Sequence, residues 1–115
     1  MPDNVVALRQ LLLSVPRDAL PMTYQQVAAA LALTPPRTIA QVTQALEQLM
    51  REDAAQQKPF MAALVVSRRG DGLPGAGFFE LATELDRFPA DKALHEAAYF
   101  TEFERAIGER EKRPH

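Results

Sequence analysis

A chain of 115 residues with 47% hydrophobic and 24% charged residues fits one globular domain and excludes the disordered and fibrous classes. It holds no cysteine, so a disulfide framework, a thiolate zinc site and a cysteine nucleophile are ruled out. A net charge of −2 disfavours a broadly basic nucleic-acid surface, but residues 1–79 carry seven Arg or Lys against six Asp or Glu, and residues 80–115 six against nine. The acidity belongs to the C-terminal third, and any basic surface must be local. No apolar run approaches the ~18 residues of a membrane span, and no basic-then-apolar leader opens the chain, so a cytoplasmic protein is expected.

Val5, Leu8, Leu12 and Val15 recur at helical spacing behind Asp3 and Asn4, whose side chains can cap free N–H groups; a first helix is predicted from there to Pro16. Pro16 and Pro21 bracket a connector. Thr23 and Gln26 have the spacing of a capping box, and Met22 and Val27 that of a hydrophobic staple. A second helix is therefore predicted from Thr23 through the alanine-rich stretch to about Leu31. After a turn at Thr34, Pro35 and Pro36, Thr38 and Gln41 repeat the capping-box spacing. Ile39, Val42, Leu46, Leu49 and Met50 then give a third helix an inward face lasting to about Ala55.

Pro59 resets the chain, and the short apolar stretch Phe60 to Ser67, closed by two valines, favours a buried strand. The loop Arg68 to Gly77 holds four glycines and one proline, and Phe78-Phe79 is predicted to return as a second strand of a hairpin. A brief helix over Glu80 to Arg87 and a longer one over Asp91 to Arg110 complete the chain, the latter burying some of Leu94, Ala97, Phe100, Phe103 and Ile107. This order predicts an α+β, mainly helical winged helix-turn-helix: one domain over 1–115, with the helix-turn-helix at 23–55, a small β-hairpin wing at 60–79 and extra C-terminal helices at 80–110.

On the third helix Arg37, Gln41, Gln44, Gln48 and Arg51 step by four, three, four and three, forming one polar ribbon away from the apolar stripe. Such a ribbon suits the major groove, where Gln pairs with adenine and Arg grips guanine or phosphate; a plain solvated helix face is the alternative. Arg68 and Arg69 lie where a wing would touch a duplex backbone, or serve only to keep a hairpin tip soluble. Gly70, Gly72 and Gly75 satisfy G-x-G-x-x-G, but Pro74 and Phe78-Phe79 follow rather than an expected helix, and Asp71-Gly72 in a hairpin turn explains them better. With only His95 and His115 present, a histidine metal cluster is not expected, and no cofactor or catalytic residue is implied.

The run Met22-Thr23-Tyr24-Gln25-Gln26-Val27-Ala28-Ala29-Ala30-Leu31 resembles the opening of the DNA-binding half of O6-alkylguanine-DNA alkyltransferases. The likeness continues in order through Val42 to Leu46, Pro59 to Val66 and Gly70 to Gly75, about half of the chain. In that family the Tyr matching Tyr24 helps rotate a guanine out of the duplex, an Arg fills the gap, and a Pro-Cys-His-Arg-Val-Val motif supplies the nucleophile. Setting Val65-Val66 on the final valines of that motif places Ala62, Ala63 and Leu64 at its Cys, His and Arg, and setting Val42 on the recognition-helix valine places Ala40 at the intercalating Arg. The resemblance thus implies the scaffold without the reactive machinery, since alkyl transfer needs a thiolate.

The expectation is a non-enzymatic, regulatory DNA-binding protein of double-stranded DNA. Its site residues would be Gln41, Gln44 and Gln48 toward bases and Arg37, Arg51, Arg68 and Arg69 toward phosphate, with Tyr24 added by the resemblance. The alternative is a protein-interaction module that uses the acidic, aromatic C-terminal helix for a protein partner or a homodimer.

Overall fold

A computed structural model describes residues 4–67 and 72–112. Helix α1 spans Asn4–Ser14 and ends before Pro16. A 3-10 turn at Arg17–Ala19 leads to strand β1, Met22–Thr23, which runs directly into helix α2, Tyr24–Ala30. The Thr23 hydroxyl accepts from the Gln26 N–H at 3.1 Å and the Gln26 side chain accepts from the Thr23 N–H at 2.8 Å, so the predicted capping box is formed. Met22 and Val27, the predicted staple, are both buried.

Helix α3, Thr38–Ala55, is the spine of the molecule, with α1 and α2 packed against it. Val42, Leu46, Leu49 and Met50 are buried as the spacing predicts, whereas Ile39 at its first turn stays exposed. The second capping box does not form. Thr38 is already helical, the N-cap is Arg37 with φ 63° and ψ 41°, and the Gln41 amide instead donates to the Thr34 and Pro36 carbonyls at 3.0 and 3.1 Å. The proline turn leaves those carbonyls unpaired and within reach, and they outcompete the reciprocal cap.

Beyond Pro59 the structure corrects the predicted wing. Met61–Leu64 is a 3-10 turn, and among the described residues of this stretch only Val65–Val66 is a strand, β2. It pairs in parallel with β1, Met22 opposite Val65 and Thr23 opposite Val66, with α2 and α3 forming the crossover that a parallel pair requires. Phe78 and Phe79 are not a return strand but belong to helix α4, Ala76–Glu84. Phe78, Leu81, Ala82 and the half-buried Leu85 fall on one helical stripe, and that period of 3.6 outweighs the β-propensity of two adjacent aromatics. The helix that was not expected after Gly75 therefore exists. What tells against a dinucleotide site is a sheet of only two short strands and a Gly75 N–H already donated to Tyr24.

A 3-10 turn at Lys92–Leu94 leads into helix α5, His95–Lys112. Its buried face is Tyr99, Glu102, Ala106 and Ile107, while Leu94, Ala97 and Phe100 of the expected stripe are exposed and Phe103 is half-buried. One continuous core joins α1, α3, the turn at residues 61–64, α4 and α5. The fold is thus mainly helical with a minimal parallel β pair.

Candidate functional site

The 3-10 turn at Met61–Leu64 is the best-anchored piece of backbone in the molecule. Its residues are all buried, so its leading N–H groups need internal acceptors. Glu102 Oε2 accepts the Phe60 N–H at 2.7 Å and Asp53 Oδ2 accepts the Met61 N–H at 3.0 Å. Both acids are almost wholly buried and both are balanced: Asp53 meets Arg9 at 2.9 Å, and Glu102 meets Arg87 at 2.8 Å and Arg105 at 3.1 Å. The Arg87 guanidinium also lies 4.3 Å from the Phe60 ring centroid, and the Tyr99 hydroxyl donates to the Ala63 carbonyl at 2.9 Å. Burial pushes the Tyr99 phenol well above its usual range, with Tyr24 adding to the shift, so it remains a donor at neutral pH.

This clamped turn presents Ala62 to a small pocket of about 100 Å³, into which α2 sends Tyr24, α3 sends Leu46, Glu47 and Met50, and α4 sends Phe78. The Tyr24 hydroxyl accepts the Gly75 N–H at 3.0 Å. A Cβ at Gly75 would stand 3.1 Å from that oxygen, which explains why glycine suits the position. Burial raises the Tyr24 pKa, with the Gly75 N–H working against it, so the phenol keeps its proton. That proton meets no acceptor among the described residues, leaving one O–H donor beside a recess that is mostly apolar apart from Thr43 and Glu47. The volume is below the ~300 Å³ of ordinary small-molecule sites, so it admits one projecting group rather than a whole ligand. The Thr43 hydroxyl donates to the Ile39 carbonyl at 3.0 Å, and Ala62 offers only a methyl.

The polar ribbon of α3 lies outside the lining of this pocket and is not uniform. Gln44 is exposed, Gln48 is exposed with only a long 3.5 Å contact to Glu52, and Gln41 is half-buried and tied to the preceding turn. Arg51 is exposed but faces Glu84 of α4 at 3.4 Å, which draws its charge toward a carboxylate and away from an open surface. Arg37 is exposed and has no partner among the described residues. The calls on Arg68 and Arg69 lie outside the described residues. The structure therefore leaves Arg37, Gln44 and Gln48 of the ribbon open and commits Gln41 and Arg51 to neighbours, and none of the five lines the Tyr24 pocket.

Sequence reasoning passed over Asp53 and Glu102, although both carried a signal. Asp53 continues the stripe Val42, Leu46, Leu49, and Glu102 sits between Tyr99 and Ala106; an acid on an apolar stripe implies a buried partner. Among the described residues no three His, Asp or Glu side chains gather as a metal site. No described helix is long and apolar enough to cross a membrane. Comparison of the chain with protein-family models, curated proteins and solved structures finds no match.

Proposed function

We propose that this is a non-enzymatic protein that binds double-stranded DNA, seating the outward face of α3 on the duplex and offering the Tyr24 pocket to one displaced base edge or its substituent. The observation that carries the reading is that Tyr24 and Ala62, 38 positions apart and equivalent to the base-rotating Tyr and the nucleophilic Cys of the alkyltransferases it resembles, line one recess walled by α3. The backbone at Arg37 adds support. Ala32, Gln57 and Asp86 also have positive φ, but each follows a helix C-terminus, where a left-handed residue is the ordinary way to stop. Arg37 precedes a helix, exposed and unpaired, and a strained position of that kind is characteristic of a contact site. With Ala62 in place of a thiol the pocket recognises without reacting.

The few available cations make binding weak and its salt dependence shallow. Titration of a labelled 20-mer duplex, unmodified or carrying one O6-methylguanine, at ~50 and ~200 mM salt tests the reading. Binding is expected at the lower salt, stronger to the modified duplex. Arg37→Ala should reduce the slope of log K against log salt by about one unit, and Ala62→Leu should abolish the preference for the modified duplex. Failure to bind either duplex at ~50 mM salt overturns the proposal.

A second reading has its own support at α5 and the turn that leads into it, where Phe100 is 50% and Leu94 is 52% exposed. Apolar side chains held so far out suit a homodimer or a protein partner. Sedimentation equilibrium decides it: self-association weakened by Phe100→Ala favours this reading, and a monomer at high concentration removes the homodimer.

A further inference from the structure

A second and larger cavity, about 530 Å³, opens on the far side of α4 from the Tyr24 pocket, between that helix and the start of α5. Neither the DNA-binding reading nor the α5 docking reading uses it. Its volume lies in the range of small-molecule sites, and Leu73, Ala76 and Ala90 give it apolar walls. The two rings that line it are Phe79 and His95, stacked with centroids 5.5 Å apart and planes within 5° of parallel. Phe79 is itself held edge-on by Phe78 and Tyr99, so the ring pair stands on the core and presents a rigid flat surface.

The polar groups around that surface are mostly acceptors. His95 Nε2 lies 2.7 Å from the Pro89 carbonyl, which can only accept, so Nε2 carries the proton and Nδ1 of the neutral ring is an acceptor with no partner among the described residues. The Thr83 hydroxyl donates to the Phe79 carbonyl at 2.9 Å, and its oxygen lies 3.4 Å from His95 Nε2, so it braces the histidine rather than standing open to a ligand. Glu80 from α4 and Glu96 from α5 add two exposed carboxylates, against the single ammonium of Lys92. A flat aromatic floor ringed by acceptors and net negative charge selects a flat ligand that donates hydrogen bonds and carries positive charge.

We propose that the cavity between α4 and α5 is a binding site for a small planar organic cation of the amidine or protonated aromatic-amine class. Such a ligand stacks on the Phe79 and His95 rings and directs its N–H groups to Glu80 and Glu96. Because no DNA-contacting residue is shared, this site stands or falls separately from the proposed function.

The test is a titration of the whole 15N-labelled chain with benzamidine, alongside neutral benzamide and anionic benzoate, which keep the ring and change only the charge. Benzamidine is expected to give saturable amide shifts clustered at residues 79–83 and 95–96, and to bind about fivefold more tightly than benzamide, with benzoate weakest. The double variant Glu80→Gln, Glu96→Gln alters only exposed side chains, and a dispersed spectrum confirms that it folds. It should keep benzamide binding and lose the preference for the cation. Absence of saturable shifts, shifts centred on the Tyr24 pocket, equal affinity for benzamide, or a preference that survives the double variant would each overturn the assignment.

Discussion

Asp53 shows how one side chain holds a site it never touches. Its carboxylate accepts the Met61 N–H and meets Arg9, so Asp53→Ala strands a buried donor and is expected to cost about 1–3 kcal/mol in denaturant unfolding. Asp53→Asn retains an acceptor oxygen and should cost clearly less, because Arg9 keeps Glu52 at 3.1 Å. Burial raises the Asp53 pKa above the ordinary 3.8, with the Met61 N–H and Arg9 opposing the shift. The folded state therefore keeps this proton to higher pH than the unfolded chain, and the residue's contribution to stability is greatest below the ordinary value and declines as pH rises through the folded-state value. Measured from about pH 3 to about pH 7, the stability of the wild type relative to Asp53→Asn should fall with rising pH. A relative stability that instead rises would show that the Arg9 ion pair outweighs burial.

At the scale of elements, three helices stop in the same way without the residue best suited to it. After α2, α3 and α4 the chain makes paired bonds back into the last turn: Ala32 N–H to the Ala29 carbonyl with Leu33 N–H to Ala28, Gln57 to Ala54 with Lys58 to Asp53, and Asp86 to Thr83 with Arg87 to Ala82. Each is a Schellman ending whose left-handed residue is Ala32, Gln57 or Asp86, with φ of 52°, 58° and 61°. Replacing any of the three by glycine removes the Cβ penalty and is expected to stabilise by about 0.5–1 kcal/mol after the added chain entropy of glycine is counted, read as a raised unfolding midpoint. At the other end of α2, Thr23→Ala should cost about 1 kcal/mol through loss of the formed capping box. The Thr23–Gln26 box and the Pro16 stop were legible in the sequence, and the ends expected near Leu31 and Ala55 fall within a residue of those observed, although no glycine marks the left-handed residues that follow. The box at Thr38 and Gln41 did not form, because the proline turn offers Gln41 other acceptors. The hairpin was misread because the glycines before Phe78-Phe79 look like turn residues, although Gly75 is there to let Tyr24 approach. The face of α5 was misjudged because Glu102 interrupts its apolar stripe, and only the Phe60 N–H and Arg87, distant in sequence, make that acid a core residue. The capped helix that carries Tyr24 was legible, but the partner of its hydroxyl, Gly75, 51 positions on, was not.

Over the whole molecule these local ties converge on one core, and it is expected to unfold as one unit. Helix α5 closes it from both ends: Glu102 and Tyr99 bind the turn at residues 60–63, and the Arg110 guanidinium reaches the Leu13 and Val15 carbonyls where α1 finishes. Leu8 and Leu12 of α1 share their core with Tyr99, Ala106 and Ile107 of α5, so undocking α5 would expose the interior rather than peel a surface. The chain contains two tyrosines and no tryptophan, and the tyrosines report from different elements, Tyr24 at the start of α2 and Tyr99 on α5. In Tyr99→Phe the remaining fluorescence follows Tyr24, and in Tyr24→Phe it follows Tyr99, each variant losing about 1 kcal/mol with its hydrogen bond. In both, the fluorescence transition in urea should coincide with the loss of helical circular dichroism, as a two-state domain requires. A Tyr99 signal that changes at lower urea than the helical signal would instead make α5 a separable lid, and the clamp on the Ala62 turn would then be a contact the protein can release.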